Sequence, residues 1–274
     1  MEIFVDSADL EEIKKAKEYG ICSGVTTNPS LIKQAVIRMK GDGKNVSMED
    51  YINMICKTIG KNGSVSLEVI SLDAKGMVKE AGHLYEKFNP VADNVAIKIP
   101  VSTSRHEKED HYEGLKAISV LDEKGIPVNA TLIMTPEQAL LAAKSGAKYV
   151  SPFAGRIDDW IRKNLGMKFG KSDYFPAEGT KNDKGEIVHD EGVVSGVDLV
   201  RKILEVFGKY GIQTKVIAAS LRNYRQVREV AELGVHIATI PFNVIEEMIK
   251  HPKTFEGVVK FSEDVIPEYS GLFK

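Results

Sequence analysis

PVNATLIMTPEQALLAAKSGAKYVSPFA, residues 127–154, holds a strand, a helix and a second strand in one line. Its ends, PVNATLI at 127–133 and YVSPFA at 149–154, are short runs rich in β-branched and aromatic side chains. Between them, 136–145 opens on a proline and carries apolar residues at helical period, and Gly146 follows it as a C-cap. Strand, crossover helix and strand form the unit from which parallel sheets are built. Outward from this stretch the unit repeats. Upstream lie IFVDS at 3–7, GVTTN at 24–28, VSLEVI at 65–70 and NVAIKIP at 94–100, and downstream lie TKVIAAS at 214–220 and HIATIPF at 236–242. Most of these runs are continuously apolar, as strands covered on both faces should be. Amphipathic stretches at 11–19 and 223–233, each closed by a glycine (Gly20, Gly234), fit the intervening helices.

Eight such units in 274 residues predict an α/β fold, a closed (β/α)8 TIM barrel forming a single domain over 1–274, with 251–274 as a C-terminal helical extension. The alternative, a doubly wound open sheet, is weakened because no Gly-rich phosphate loop follows the first strand. Two polar connections exceed the usual length: 102–112, and 158 to about 194, whose turn dipeptides fit either a lid or a plain surface insertion.

Basic and acidic residues nearly cancel, 37 against 39, so no broad field attracts nucleic acid or an anionic membrane surface. A bound anion must be held by local charges. The opening MEIFVDSADLEEIKKAKEYG lacks the apolar run of a signal peptide, and no stretch has the length of a bilayer span. The only cysteines, Cys22 and Cys56, are spaced for neither a disulfide framework nor a zinc site. A soluble protein of the reducing cytoplasm is expected.

In such a barrel the reactive groups sit at the C-terminal ends of the strands. Those ends carry Asp6, Asn28, Glu68, Lys98, Asn129, Thr131, Ser151, Arg156, Ser220 and Arg222. Lys98 lies in the otherwise apolar VAIKIP, where an ammonium is costly to bury unless it loses its proton or finds a partner. A neutral amine there can attack a carbonyl and form an imine; a salt bridge to Glu68 or Asp6 is the structural alternative. Asp6 and Glu68 can move protons during carbon–carbon cleavage, although Asp6 can equally cap the first helix. Arg156, Ser220 and Arg222 offer donors for a phosphate or similar oxyanion, unless the arginines pair with Asp158 or Glu229. His106 and His111 within RHEKEDHY match no metal-ligand spacing and fit a solvated charged loop.

Taken in order, these pieces resemble the transaldolase family, including its small members and the fructose-6-phosphate aldolases. The likeness rests on FVDSAD around Asp6, GVTTNPSLI around Asn28, VAIKIP around Lys98, NATLI at 129–133, SPFAGRIDDW from Ser151 and AASLRN from Ala218, and it covers essentially the whole chain. The resemblance implies that Lys98 is the Schiff-base lysine, that Asp6 is the acid/base, and that Glu68 and Thr131 position a catalytic water. It implies that Asn28, Asn129 and Ser151 hold the dihydroxyacetone part, that Phe153 belongs to the substrate-binding site and that Arg156, Ser220 and Arg222 hold the terminal phosphate. It further implies no metal and no cofactor, sugar phosphates as substrates, a place in carbohydrate metabolism such as the pentose phosphate pathway, and a homo-oligomer using the C-terminal segment. Glu68 and Phe153 resemble transaldolases, where the simple aldolases tend to carry glutamine and tyrosine, so transfer is expected over release. Both long connections exceed those of small relatives and leave room for another anionic end, such as that of a sulfonated ketose.

Overall fold

The computed structural model describes residues 1–41, 46–106 and 110–273. Eight parallel strands close into a barrel in sequence order: β1 (Glu2–Asp6), β2 (Gly24–Thr26), β3 (Ser64–Glu68), β4 (Val95–Pro100), β5 (Val128–Ile133), β6 (Tyr149–Pro152), β7 (Lys215–Ala218) and β8 (Ile237–Ile240). β8 returns to pair with β1, Ile3 opposite Ala238, so no edge is left open. This is the expected (β/α)8 TIM barrel. Each predicted strand is present, but most stop one or two residues short at the C-terminal end. Ala154 and Phe242, for instance, already belong to the helices that follow. Apolar composition carries on past the point where the chain turns off the barrel, which is why sequence pattern overruns there.

Around the strands lie α1 (Leu10–Glu18), α2 (Pro29–Gly41), α3 (Met48–Ile59), α4 (Ala74–Phe88), α5 (Glu113–Glu123), α6 (Pro136–Lys144), α7 (Ala154–Asn164), α8 (Gly196–Tyr210), α9 (Tyr224–Glu232) and α10 (Phe242–Met248). Most of their starts carry a capping side chain. Thr135 and Gln138 make a reciprocal capping box on α6, whose first residue is Pro136. Asp9, not Asp6, caps α1, accepting from the amides of Glu11 and Glu12; Asp6 is thereby left to the barrel mouth. After the barrel come α11 (Pro252–Glu263) and the short α12 (Pro267–Ser270), neither of which buries a residue against the rest of the chain. Among the described residues no helix is long and apolar enough to cross a membrane.

Two apolar zones follow from the period of two along each strand. Side chains pointing outward, such as Val5, Val25, Val65, Ile97 and Val150, pack under the helices in one continuous core. Inward-facing Phe4, Ala96, Tyr149, Ile217 and Ile237 form a separate cluster that plugs the barrel. Phe4 fits because β2 opens on glycine: a Cβ on Gly24 would stand 2.7 Å from the Phe4 ring. Two residues further along the same strands the inward positions become polar: Asp6, Thr26, Lys98, Ser151 and Thr239. The alternation therefore delivers an apolar floor with a polar mouth above it.

The connection between α7 and α8 corrects one expectation. Helix α7 runs on to Asn164, so the irregular segment is 165–195 rather than 158–194, and Asp158 is a buried helical residue. The SPFAGRIDDW motif continues as a helix because its period of apolar residues does, through Ile157 and Ile161. Nor is 165–195 an unattached flap. Phe175 and Val193 are buried in the core, Ser195 Oγ donates to the Ala177 carbonyl, and short antiparallel bridges join Lys181 to Ile187 and Asp190 to Val193. Of the other long connection, Glu107, Lys108 and Glu109 lie outside the described residues. Of the remainder, Asp110 pairs with Lys116 of α5, and His111 Nδ1 lies 3.4 Å from Ser102 Oγ, so the described part is charged and at the surface.

Candidate active site

At the C-terminal end of the strands a cavity of about 880 Å³ is lined by Asp6, Asn28, Glu68, Lys98, Thr131 and Ser151 among its deeper groups. Phe153, Arg156, Ser220 and Arg222 line it nearer the rim. A second cavity of similar volume lies at the opposite end, where polar side chains such as Asn94 and Thr214 are hydrogen-bonded to backbone carbonyls. Only the first gathers an amine, two carboxylates and guanidinium donors in one space, and it occupies the face where barrels place their chemistry.

Register brings the reactive groups together. In the β3–β4 pairing Glu68 stands opposite Lys98, and in β4–β5 Lys98 stands opposite Asn129, so all three project into the barrel from neighbouring strands. Lys98 is 5% exposed; its Nζ lies 2.9 Å from Glu68 Oε2 and donates to the Thr27 carbonyl at 3.0 Å. The salt-bridge alternative for Lys98 is thus realised, with Glu68 as partner. It does not compete with a chemical role, because the same contact gives the amine a base within proton-transfer distance. Thr131 is buried beside them, and its Oγ1 has no hydrogen-bond partner. An unmatched buried hydroxyl is costly unless something polar comes to meet it.

Asp6 faces the same space from β1. Its Oδ1 accepts from Thr26 Oγ1 at 2.9 Å, and that hydroxyl in turn lies 2.5 Å from Thr239 Oγ1. Burial under the strand ends raises its carboxyl above the ordinary 3.8, while Lys98, the Thr26 hydroxyl, Lys171 and Arg222 pull it back. Loss of hydration is the larger effect, so this acid keeps its proton at a higher pH than a surface aspartate.

Asn129 lies deeper than expected. It is fully buried, with Nδ2 donating to Ser66 Oγ at 3.2 Å and Oδ1 accepting from Ser151 Oγ at 2.7 Å, so it sits beneath the cavity and orients Ser151. Asn28 lines the cavity and also begins α2, its Oδ1 accepting from the Leu31 amide.

The rim is set by the turns after β6 and β7. Phe153 joins Ala219 across these strands, and its ring carries the Arg156 guanidinium at 5.1 Å. Arg156 is exposed, and neither Asp158 nor Glu229 pairs with it. Arg222 donates through Nη2 to Asp159 Oδ2 at 2.7 Å, with its buried Nε unpartnered. Its backbone amide is held by Gln226 Oε1, and Asn223 caps α9, which fixes the corner. Close packing depends on Gly155: a Cβ there would come within 2.4 Å of Arg222 Nε and 2.2 Å of the Ser220 carbonyl. Ser220 itself has φ of +59°, a left-handed conformation that costs a non-glycine residue roughly 1–2 kcal/mol and that persists at sites where geometry is imposed.

Several cavity residues were not singled out by sequence: Thr26, Thr239, Lys171, Ser172 and Asn243. The two threonines carry a readable signal, an inward position two residues beyond Gly24 and Ile237. Lys171 and Ser172 lie in the irregular connection, where no periodicity exists to read.

The profile of the family described as transaldolase/fructose-6-phosphate aldolase matches residues 3–268. A protein named "Probable transaldolase" from Geobacillus sp. is 41% identical over 264 residues, covering 96% of this chain and 98% of its own. Proteins of the same name from Methanococcus maripaludis and Clostridium botulinum are each 40% identical, over 264 residues (96% and 97% of the two chains) and over 274 residues (100% of both).

Proposed function

Because this chain belongs to the transaldolase/fructose-6-phosphate aldolase family, we propose that it works through a Schiff base on Lys98 and transfers a dihydroxyacetone unit from a ketose phosphate, such as fructose 6-phosphate, to an aldose phosphate, such as erythrose 4-phosphate. The observation that carries the reading is the juxtaposition of the Lys98 amine, the Glu68 and Asp6 carboxylates and the unpartnered Thr131 hydroxyl in one cavity. Glu68 accepts a proton from Lys98, freeing the amine lone pair to attack the ketose carbonyl; water leaves and a protonated imine forms. Asp6 then takes the proton of the hydroxyl carried by the far carbon of the bond to be broken, so that this carbon becomes the carbonyl of the departing aldose. That bond's electron pair flows into the iminium, the aldose phosphate departs, and an enamine stays on Lys98. Attack of the enamine on an acceptor aldehyde, with Asp6 returning the proton, runs the sequence backwards. A water held between Glu68 and Thr131 serves imine formation and hydrolysis.

Asn28, Ser151 and Phe153 are assigned to the dihydroxyacetone part, with Asn129 acting through Ser151. Arg156, Ser220 and Arg222 are assigned to the distal phosphate, whose binding energy positions the reacting carbons. Glu68 and Phe153 support transfer over release. The test is borohydride reduction in the presence of fructose 6-phosphate, followed by peptide mapping, beside a coupled assay with and without erythrose 4-phosphate. An adduct on Lys98 with acceptor-dependent turnover is the expected outcome. Turnover independent of acceptor would make the enzyme an aldolase releasing dihydroxyacetone, and an adduct with slow turnover would direct attention to ketoses with another anionic end, such as 6-deoxy-6-sulfofructose.

Cytoplasmic homo-oligomers are the proposed working form. Phe255, Val258 and Phe261 of α11 are 72%, 60% and 73% exposed on their own chain, which is more apolar surface than a monomer ordinarily shows on one helix. Light scattering after gel filtration is expected to give a multiple of the 30.2 kDa chain, and the chain truncated before Pro252 a smaller species. A monomeric full-length protein would end this reading.

A further inference from the structure

Four cations line the active cavity: Lys98, Arg156, Lys171 and Arg222. Two are already engaged, Lys98 with Glu68 and Arg222 with Asp159. Among the described residues, Arg156 and Lys171 show no ion pair. Arg156 belongs to the strand-end set, whereas Lys171 comes from the 165–195 connection, far outside any strand motif.

The backbone on both sides of Lys171 is held in place. Arg162, 2% exposed on α7, sends its guanidinium toward the connection, 5.0 Å from the Phe169 ring and 5.1 Å from the Phe175 ring, and donates to the Asp173 carbonyl at 2.6 Å. Asn223 Nδ2, beside Arg222, donates to the Ser172 carbonyl at 3.2 Å. Tyr174 donates to Glu229 on α9 at 2.5 Å, and its ring is covered by Arg225 at 5.2 Å. Residues 169 and 172–175 are therefore tied to α7 and α9, and Lys171 between them is presented at the cavity rim. Its charge reaches across the mouth: after Lys98 and the Thr26 hydroxyl, Lys171 is the next group drawing the Asp6 carboxyl down against the rise that burial causes, ahead of Arg222. An ammonium held there with no ion pair among the described residues, on a scaffold that includes a buried arginine, is arranged for an anion supplied from outside.

We propose that Lys171 is a specificity-determining residue that binds the distal anionic group of the substrate, adding to Arg156 a second uncompensated charge and so favouring a dianionic phosphate over a monoanionic sulfonate. The inference rests on the assignment of this rim to the distal group, and it deepens that assignment by choosing between the two anions. Arg222 contributes hydrogen-bond geometry with its charge partly offset by Asp159, so the balance between one and two negative charges falls to Arg156 and Lys171.

The test uses the full-length protein and inorganic phosphate or methanesulfonate as the probe, read by calorimetry at neutral pH, with Lys171→Met and Lys171→Arg beside the unaltered chain. Unaltered protein is expected to bind phosphate more tightly than methanesulfonate. Lys171→Met is expected to weaken phosphate binding about fivefold, the loss suited to one exposed charge-assisted contact, with Lys171→Arg close to the unaltered value. Phosphate binding unchanged in Lys171→Met would overturn the proposal, as would methanesulfonate binding as tight as phosphate in the unaltered protein. In turnover, Lys171→Met should raise KM for fructose 6-phosphate by a similar factor while KM for unphosphorylated fructose stays close to that of the unaltered chain. Because phosphate binding is read without catalysis, normal phosphate selectivity in a protein that does not turn over fructose 6-phosphate would sink the proposed function while sustaining the anion site.

Discussion

Lys98→Ala is expected to lose all borohydride-trappable adduct and to lower kcat by at least about a thousandfold, because among the described residues the other amine lining the cavity, Lys171, comes from the 165–195 connection at its rim and not from a strand inside the barrel. The Lys98 side chain fills the inward position between Glu68 and Asn129, and its Nζ reaches both Glu68 Oε2 and the Thr27 carbonyl. Removing it also has a structural cost. Glu68 is left with its carboxylate largely enclosed and its counter-charge gone, and breaking a buried pair in this way destabilises by up to about 3–5 kcal/mol. Activity loss in Lys98→Ala alone would therefore be ambiguous. Lys98→Arg resolves it, since a guanidinium retains the charge opposite Glu68 but does not form an imine with a ketose. The expectation is a folded Lys98→Arg protein, melting close to the unaltered chain, with no reducible adduct and no turnover. A trapped ketose on either variant would place the nucleophile elsewhere and end the Schiff-base assignment to Lys98.

The barrel was legible because each strand obeys one local rule repeated eight times: a short β-branched run, then a helix of opposite period, with a glycine or a capping side chain at the seams. PVNATLI to YVSPFA shows all of this within 127–154, down to the Thr135 cap and Gly146 in the left-handed region at φ of +98°. The deep site was legible for a related reason. A polar residue in an apolar strand, such as Lys98 or Glu68, has no place in a packed core and must face either a partner or a cavity. Here each faces both.

What escaped was position along the third dimension. Asn129 and Ser151 read alike in sequence, yet strand register sets Asn129 one layer lower, where it orients its neighbour and does not line the cavity. The end of α7 escaped as well, because a polar, charged stretch after Asp158 hides a helical face carried only by Ile161 and the wholly buried side chain of Arg162. Arg162 is the clearest case. A lone arginine in a charged segment reads as solvated, but its burial depends on Phe169, Asp173 and Phe175, which no local pattern ties to it. Contacts between a helix and an irregular connection leave no period behind, so the rim at Lys171 and Ser172 needed coordinates.

The same three-dimensional view separates the two carboxylates. Glu68 touches Lys98 directly, whereas Asp6 is tied to Thr26 and through it to Thr239, across the barrel mouth. If Asp6 moves the proton that breaks the carbon–carbon bond, then Asp6→Asn should leave imine formation intact and stop the step after it. Asparagine is nearly isosteric, and its carbonyl oxygen can still accept from Thr26 Oγ1, so the fold and the Thr26–Thr239 contact are expected to survive. kcat is expected to fall roughly 10²- to 10⁴-fold, the range for loss of a positioned general acid/base, while the reducible Lys98 adduct with fructose 6-phosphate accumulates. The pH profile supplies the second readout. Cleavage requires the Asp6 carboxylate to be charged, and burial raises its affinity for the proton, so activity of the unaltered enzyme should fall on the acid side with a midpoint above the ordinary aspartate value of 3.8. That acid limb should be missing from the residual rate of Asp6→Asn. A variant that turns over normally, or one that no longer forms the adduct at all, would remove Asp6 from the proton-transfer step, in the second case by placing it in imine formation instead.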